Sequence, residues 1–193
     1  SIKLPESLEE IEGSVFYCTN LEFISIPKNV RCISGDVFNG CRLLKKVKIN
    51  TNRLHAIRNG TFSGCQSLTT INLPDSIKTI ETEAFSGCCL LSDIKLPKNL
   101  VRLDSKAFYE CNSLQSIRFP KNLIYAESDA FCECDSLIDW YIEKDTPIKN
   151  PVSVCLSTTN RGYYRIHIPK NSLSCYLKSS DWRMYKYQFI PDL

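Results

Sequence analysis

The segment LPDSIKTIETEAFSGCCLLSDIKLP, residues 73–97, holds one complete copy of a pattern that recurs along the chain. It begins and ends with Leu-Pro, and Phe85 and Cys88 lie near its middle, three residues apart. Outward from this copy, the same cysteine position returns every 23 or 24 residues. The series consists of Cys18, Cys41, Cys65, Cys88, Cys111 and Cys134. A fixed period of this length indicates a stacked repeat architecture.

Each repeat contains a Leu-x-x-Ile-x-Ile-Pro stretch, whose last residues alternate inward and outward as a β-strand does. Stacked copies form a parallel sheet, and the proline ends each strand because it cannot donate to a ladder. Eight strand rungs are headed by Ile2, Ile24, Val47, Ile71, Ile94, Ile117, Trp140 and Ile166. A second apolar ladder and a tight or briefly helical turn, with Phe and Cys pointing inward, complete each coil. The pattern predicts an α+β repeat solenoid, coiled right-handedly, with a parallel sheet face and short helical turns.

The two parts of the chain differ in regularity. Residues 1–142 are predicted to form the solenoid, and residues 143–193 an irregular final coil and cap within the same continuous domain. Leu173, Tyr176 and Trp182 fall at near-helical spacing, which predicts an amphipathic capping helix before a short closing segment at residues 189–191. The opposite end has no such cap and starts without Met, so we expect a processed product in which further coils or another domain precede Ser1.

The eleven cysteines divide into two groups. The six repeat cysteines are predicted to be reduced core residues, because equivalent side chains on neighbouring coils stack in parallel and do not point at each other. In the first coil, the missing residue is placed between Phe16 and Cys18. The other cysteines lie outside the repeat register, and they are Cys32, Cys89, Cys132, Cys155 and Cys175. Cys155 and Cys175 flank the irregular coil and are the best disulfide candidates.

The units closely resemble the BspA-like class of leucine-rich repeats, as shown by Leu73-Pro74 to Ile80 followed by Glu83 to Cys88 and Leu91. The match runs from Ile2 to Ile142, and Ile166 to Tyr185 is similar to the terminal unit common in that family. The resemblance implies a leucine-rich-repeat array from a surface-exposed or secreted protein of the adhesion type. It also implies binding without catalysis, although a fold alone does not prove a function.

Several function classes find no support in the residues. A net charge of +3 gives no argument for nucleic acid or an anionic membrane. No apolar stretch reaches the length of about 18 residues that spans a bilayer. The sequence lacks a nucleophile elbow, a phosphate loop and a His-Glu-x-x-His helix. A metal site is not expected, because the two histidines lie on different coils and Cys132-x-Cys134 lacks the usual zinc spacing. We therefore expect no enzymatic activity and no cofactor.

The outward strand positions remain as a ligand surface, because solenoids commonly bind through their extended sheet face. The residues predicted to bind are Phe23, Lys46, Lys48, Lys95, Arg118 and Tyr141. The expected ligand is a protein on a host or neighbouring cell. Three alternatives stay open, namely a glycan stacked on Phe23 or Tyr141, a structural spacer, and an ordinary solvated surface. A rival patch consists of Val101, Ile124 and Tyr125, which point outward from the second strands.

Overall fold

In the computed structural model, the chain coils into a solenoid whose parallel strands line two faces. The structure describes residues 2–149 and 164–193. The front face consists of β2 (Phe23–Ile26), β4 (Lys46–Ile49), β6 (Thr70–Asn72), β8 (Asp93–Lys95), β10 (Ser116–Phe119), β12 (Asp139–Ile142), β13 (Arg165–Ile168) and β14 (Phe189–Pro191). The side face consists of β1 (Glu10–Ile11), β3 (Cys32–Ile33), β5 (Ala56–Ile57), β7 (Thr79–Ile80), β9 (Arg102–Leu103) and β11 (Tyr125–Ala126). These residues form mostly strands and turns, so the predicted α+β class is not confirmed.

The front strands pair in parallel and in the predicted register. Val47 lies between Ile24 and Ile71, and Trp140 lies between Ile117 and Ile166. At one end, Ile2 forms a parallel bridge with Ile24. At the other end, β14 pairs with β13, so the closing segment predicted from the sequence is itself a strand. The parallel-sheet solenoid is thereby confirmed.

A stack of phenylalanine rings runs through the core. Neighbouring rings have centroids 5.0–5.4 Å apart and nearly parallel planes. The stack consists of Phe16, Phe38, Phe62, Phe85, Phe108 and Phe131. Contacts of this kind add to the burial of apolar area that holds one coil on the next.

Buried thiols form a second link between coils. In each case the Sγ atom of a repeat cysteine donates to the carbonyl oxygen of the phenylalanine one coil earlier, over 2.9–3.3 Å. The donors are Cys41, Cys65, Cys88, Cys111 and Cys134. All five are free thiols, as predicted. Each thiol therefore fills space in the core and gives a carbonyl group, which already accepts a backbone N–H of its own turn, a second donor from the next coil.

The first coil departs from the predicted register. Cys18 is exposed and has a φ of +54°, close to the +73° of Gly40, and both N–H groups donate to the equivalent carbonyl of the next coil. Thr19 takes the cysteine position, where its Oγ1 donates to Phe16 O over 2.9 Å. The prediction that Cys18 points inward is wrong, and the missing residue lies between Thr19 and Leu21.

The cysteines outside the repeat register also differ from expectation. Cys175, one of the two disulfide candidates, is a free and exposed thiol. The other candidate, Cys155, lies outside the described residues. Cys132 is disulfide-bonded, although the repeat pattern gives no signal that separates it from Cys32 or Cys89.

The C-terminal segment contains little helix. The single long capping helix predicted from the sequence is not found, because α1 (Leu173–Lys178) has only six residues and a separate 3-10 turn covers Arg183–Tyr185. Two aromatic residues of this segment nevertheless form hydrogen bonds with the preceding coil. The Tyr176 hydroxyl donates to Lys144 O over 2.8 Å, and Trp182 Nε1 donates to Ile148 O over 2.9 Å.

The front face is interrupted once between its regular coils. β8 and β10 are neighbours, but no backbone ladder pairs them, whereas β9 and β11 are paired on the side face of the same coils. The interruption coincides with Phe119, the first aromatic residue at a position that earlier coils fill with Ile or Leu. Its ring contacts both Phe131 and Trp140. The break thus adjoins a strand whose last inward residue is larger than its counterparts in the earlier coils.

The thiol–carbonyl bonds predict the effect of removing a repeat cysteine. We expect Cys65→Ala to lower the free energy of unfolding by about 1–2 kcal/mol, because Phe38 O loses one of its two donors and a small void remains in the core. Cys65→Ser should lose less, since a hydroxyl can make the same bond. Urea denaturation measures both. Cys175→Ala is the control, because its side chain is exposed, and an equal loss in the control would contradict the structural role.

A second prediction concerns thiol reactivity. Burial raises the pKa of Cys65, Cys88 and Cys111, and the thiolate is the form that reacts. Alkylation of native protein near pH 8 should therefore label Cys18 and Cys175 first. The inward cysteines at positions 41, 65, 88, 111 and 134 should react only after denaturant is added, as read by peptide mass mapping. Rapid labelling of these five without denaturant would refute the arrangement.

Candidate binding cleft on the front face

Two outward columns of side chains run along the front face, one residue on either side of the inward Ile or Val. The first column contains Phe23, Lys46, Thr70, Asp93, Ser116, Asp139 and Arg165. The second column contains Ser25, Lys48, Asn72, Lys95, Arg118, Tyr141 and His167. All six residues predicted to bind therefore lie on one face, in the columns that their spacing assigned to them.

A cleft of about 630 Å³ opens where the ladder between β8 and β10 is interrupted. Its lining includes three of the predicted residues, Lys95, Arg118 and Tyr141, together with Lys98 and Glu143. The other three lie on the first coils and do not line this cleft. The predicted residues thus form two separate groups. Lys95, Arg118 and Tyr141 line the cleft, and Phe23, Lys46 and Lys48 lie together on the first coils.

Arg118 is held in place within the cleft. Its Nη1 lies 3.3 Å from Glu143 Oε1, and its guanidinium carbon lies 4.4 Å from the centroid of the Tyr141 ring. On the next strand, His167 stacks on Tyr141 with the ring centroids 4.4 Å apart. Because β12 lies between β10 and β13, these two neighbours cover opposite faces of the ring. Tyr141 is therefore a support for Arg118 and not the exposed aromatic that the sequence suggested.

The His167 ring continues this network toward the C-terminus. Its Nδ1 lies 2.9 Å from Asp192 Oδ2, and its Nε2 lies 3.3 Å from Asp139 Oδ1. Arg165 donates to both carboxylate oxygens of Asp139, over 2.6 and 2.7 Å. These hydrogen bonds, and then those from His167, hold the pKa of Asp139 below its ordinary value despite partial burial.

Three lysines of the front face, Lys46, Lys48 and Lys95, have charges that no neighbouring carboxylate neutralises in the described residues. Within the described ranges, no ion pair joins Lys46, Lys48 or Lys95 to another side chain. All three side chains are exposed. The face consequently presents several unneutralised cations beside an arginine whose own carboxylate partner is half-exposed.

Two cleft residues were missed by the reasoning from sequence. Lys98 follows the strand-ending proline, and the same position carries Lys28 and Lys121 in other coils, so its recurrence was a usable signal. Glu143 stands where Pro97 and Pro120 stand in earlier coils, so it marks a departure from the repeat. Both residues lie beyond the two outward columns, so the strand pattern did not include them.

The rival patch on the side face is largely covered. Ile124 is 48% exposed, but Val101 and Tyr125 are half-buried. The Tyr125 hydroxyl donates to Glu127 Oε1 over 2.7 Å, and Arg102 lies over its ring at 5.1 Å. The patch offers one large exposed apolar side chain, which is a common feature of ordinary protein surfaces.

Within residues 2–149 and 164–193, no cluster of three or more metal-ligating side chains forms. In the same ranges, no helix is both long enough and apolar enough to cross a bilayer.

Comparison with known proteins identifies relatives of this architecture. The family model described as the BspA type leucine rich repeat region matches six copies, over residues 1–54 and 44–151. A leucine-rich repeat protein from Bacteroides ovatus has a TM-score of 0.62 at 24% identity, over 91% of this chain and 52% of that chain. One from Eubacterium ventriosum has a TM-score of 0.64 at 28% identity, over 71% of this chain and 37% of that chain.

A leucine rich cell surface protein from Faecalibacterium prausnitzii has a TM-score of 0.54 at 22% identity, over 98% of this chain and 56% of that chain. No curated protein matches the sequence. The chain spans about half the length of the Bacteroides ovatus structure that it resembles. Identities this low show the shared fold.

The pKa of Asp139 gives a testable pH dependence. A carboxyl whose pKa is lowered by folding stabilises the protein above its unfolded pKa, near 4, and loses that contribution as the pH falls through the folded pKa. Asp139→Asn should therefore lower the free energy of unfolding by about 1 kcal/mol at pH 7, and by progressively less below pH 4.

Urea denaturation across pH 3 to 7 measures this dependence. Asp93→Asn is the matched control, because Asp93 occupies the same outward column and is exposed. The role given to Asp139 would be contradicted if the two variants lost equal stability at pH 7, or if the loss from Asp139→Asn were independent of pH.

Proposed function

Because the chain belongs to the BspA type leucine-rich repeat family, we propose that it is a non-enzymatic binding module of a cell-surface or secreted protein. In this proposal the ligand is a protein, and it docks on the front face. The cleft between β8 and β10 is the centre of the contact, and the exposed lysines of β4 extend it toward the first coils.

The single observation that carries the proposal is the coincidence of the cleft with the predicted cations. The break in the backbone ladder occurs where Lys95 and Arg118 face each other across adjacent strands. A concave site with converging polar groups is the usual form of a binding site. Lys46 and Lys48 lie about 10 Å away along the sheet, two strand spacings from Lys95.

Electrostatics favours an acidic partner. At physiological salt, charges within about 8 Å of one another still act together, so Lys46 acts with Lys48 and Lys95 acts with Arg118. The roughly 10 Å between the two groups weakens the coupling between them, although both groups are positive. Positive groups of this kind raise the association rate more than they raise the affinity. Repeat proteins of this family are typically non-catalytic, which supports the non-enzymatic part of the proposal.

The proposed location at the cell surface is supported by family membership and by the similarity to the Faecalibacterium prausnitzii cell surface protein. That similarity is in fold, so the location remains part of the proposal.

Carbohydrate binding is the second candidate. It is favoured by Phe23, which is 36% exposed at the edge of the lysine group. It is opposed by Tyr141, because Arg118 and His167 cover both faces of the ring that a sugar would need for stacking. A spacer role, the third candidate, requires no ligand at all.

The test uses an array of purified extracellular proteins, with a glycan array in parallel. We expect the parent chain to bind at least one protein, and Lys48→Glu with Lys95→Glu to reduce that binding by roughly tenfold or more, chiefly by slowing association. Both side chains are exposed and unpaired, so the fold should be retained, as checked by circular dichroism and the melting temperature.

The matched control carries Arg42→Glu with Lys78→Glu. These residues are also exposed but lie outside the front face, in a turn and on the side face. The control has the same net charge and should bind as the parent does. Equal loss in both double variants would show unspecific attraction and refute the front-face proposal. Binding to glycans alone would favour the second candidate, and no binding at all would favour the spacer.

A further inference from the structure

The cleft continues along the solenoid axis as a groove. A second cavity of about 500 Å³ shares Arg118 and Glu143 with the cleft, and it is also lined by Lys121, Pro169 and Leu193. From β8 to the end of β13 the groove crosses three strand intervals, roughly 14 Å, which is the length of about four extended residues. Its length suits an extended chain better than a compact small molecule.

The charges of the groove are mixed, and the cations predominate. Its lining carries Lys95, Lys98, Arg118 and Lys121 against the carboxylates of Asp93, Glu143 and Asp145. In the described part of the chain, Lys95 and Lys121 make no ion pair. Lys98 lies 3.9 Å from Asp75, and 73% of its side chain is exposed. Lys95 and Lys121 are thus free to approach an acidic ligand, and Lys98 can do so by leaving its long, solvated pair with Asp75.

Arg118 differs from the lysines because its position is fixed. Tyr141 supports the plane of the guanidinium, and Glu143 holds one of its donors. The ion pair is solvated, with 54% of the Arg118 side chain and 37% of the Glu143 side chain exposed. Exposed pairs contribute little to stability, so a carboxylate from a ligand can replace that of Glu143. A planar guanidinium fits a carboxylate in a way that a lysine does not.

We infer, on the basis of the proposed function, that the groove binds an extended acidic peptide segment of the protein ligand. Arg118 determines its specificity by binding a peptide carboxylate, and Glu143 is an internal competitor for the same guanidinium. The groove also has apolar walls, formed by Leu96, Pro120 and Leu193. Such walls suit the side chains of a peptide, whereas a sulfated glycan offers charge without apolar groups.

The test is fluorescence anisotropy with a labelled hexapeptide, Glu-Glu-Leu-Glu-Glu-Leu. Glu143→Gln should tighten binding about threefold or more, because the competitor is removed. Arg118→Lys keeps the net charge but should weaken binding about tenfold, because the planar donor pair is lost. A gain in affinity cannot come from misfolding, so Glu143→Gln keeps the inference testable even if the arginine variant is unstable.

Glu110→Gln is the matched control for charge. Glu110 is exposed in the turn after Phe108, outside the groove, and its removal alters the net charge equally. It should change the affinity less than twofold. The inference is overturned if Glu110→Gln tightens binding as much as Glu143→Gln does, or if Arg118→Lys binds as the parent does. Either result would indicate unspecific attraction.

Two further outcomes separate this inference from the proposed function. If the hexapeptide does not bind while proteins from the array still require Lys48 and Lys95, the peptide inference fails and the front-face proposal stands. If a heparin oligosaccharide competes more strongly than unlabelled peptide, with the same dependence on Arg118, the ligand is a sulfated glycan and the inference is overturned.

Discussion

The stacking of equivalent side chains from one coil to the next is the constraint on which the whole molecule depends. A ring such as Phe62 finds its neighbours only at the same position one coil away, and Cys88 Sγ reaches a carbonyl only in the preceding coil. Stability in such an array comes from contacts between nearest neighbours. Each inward position therefore accepts only side chains of a narrow range of size and polarity. The outward columns are not restricted in this way, so their residues can serve function.

This constraint explains why the fold could be predicted from the sequence. A repeat of 23 or 24 residues places inward residues in register automatically, so the pairings of Val47 and Trp140 followed from spacing alone. The outward columns followed for the same reason. The six residues predicted to bind therefore lie on the front face, as their spacing predicted. That this face binds a ligand is part of the proposed function.

The features that spacing did not predict occur where a side chain can make contact with more than one neighbour. Cys18 and Thr19 are adjacent, and the choice between them depended on which one takes the positive φ of the turn. The contact of Arg118 with Tyr141 and Glu143 depends on side-chain conformation and on a glutamate that replaces a proline. The break between β8 and β10 depends on the detailed geometry of two neighbouring coils, which a pattern of apolar letters does not describe. The predicted long capping helix is not found, because the apolar spacing near Tyr176 is satisfied equally well by a short helix followed by a 3-10 turn.

The row of buried thiols has a consequence for the lifetime of the protein in an oxidising medium. While the coils are stacked, the five inward sulfurs are shielded from oxidants and from exposed thiols such as Cys18. Complete unfolding would release them all at once into a chain where many mispaired disulfides can form. Refolding would then be blocked covalently, because no such pair fits the stacked coils. Under those conditions the survival of the protein is governed by the rate at which it opens, and not by its equilibrium stability.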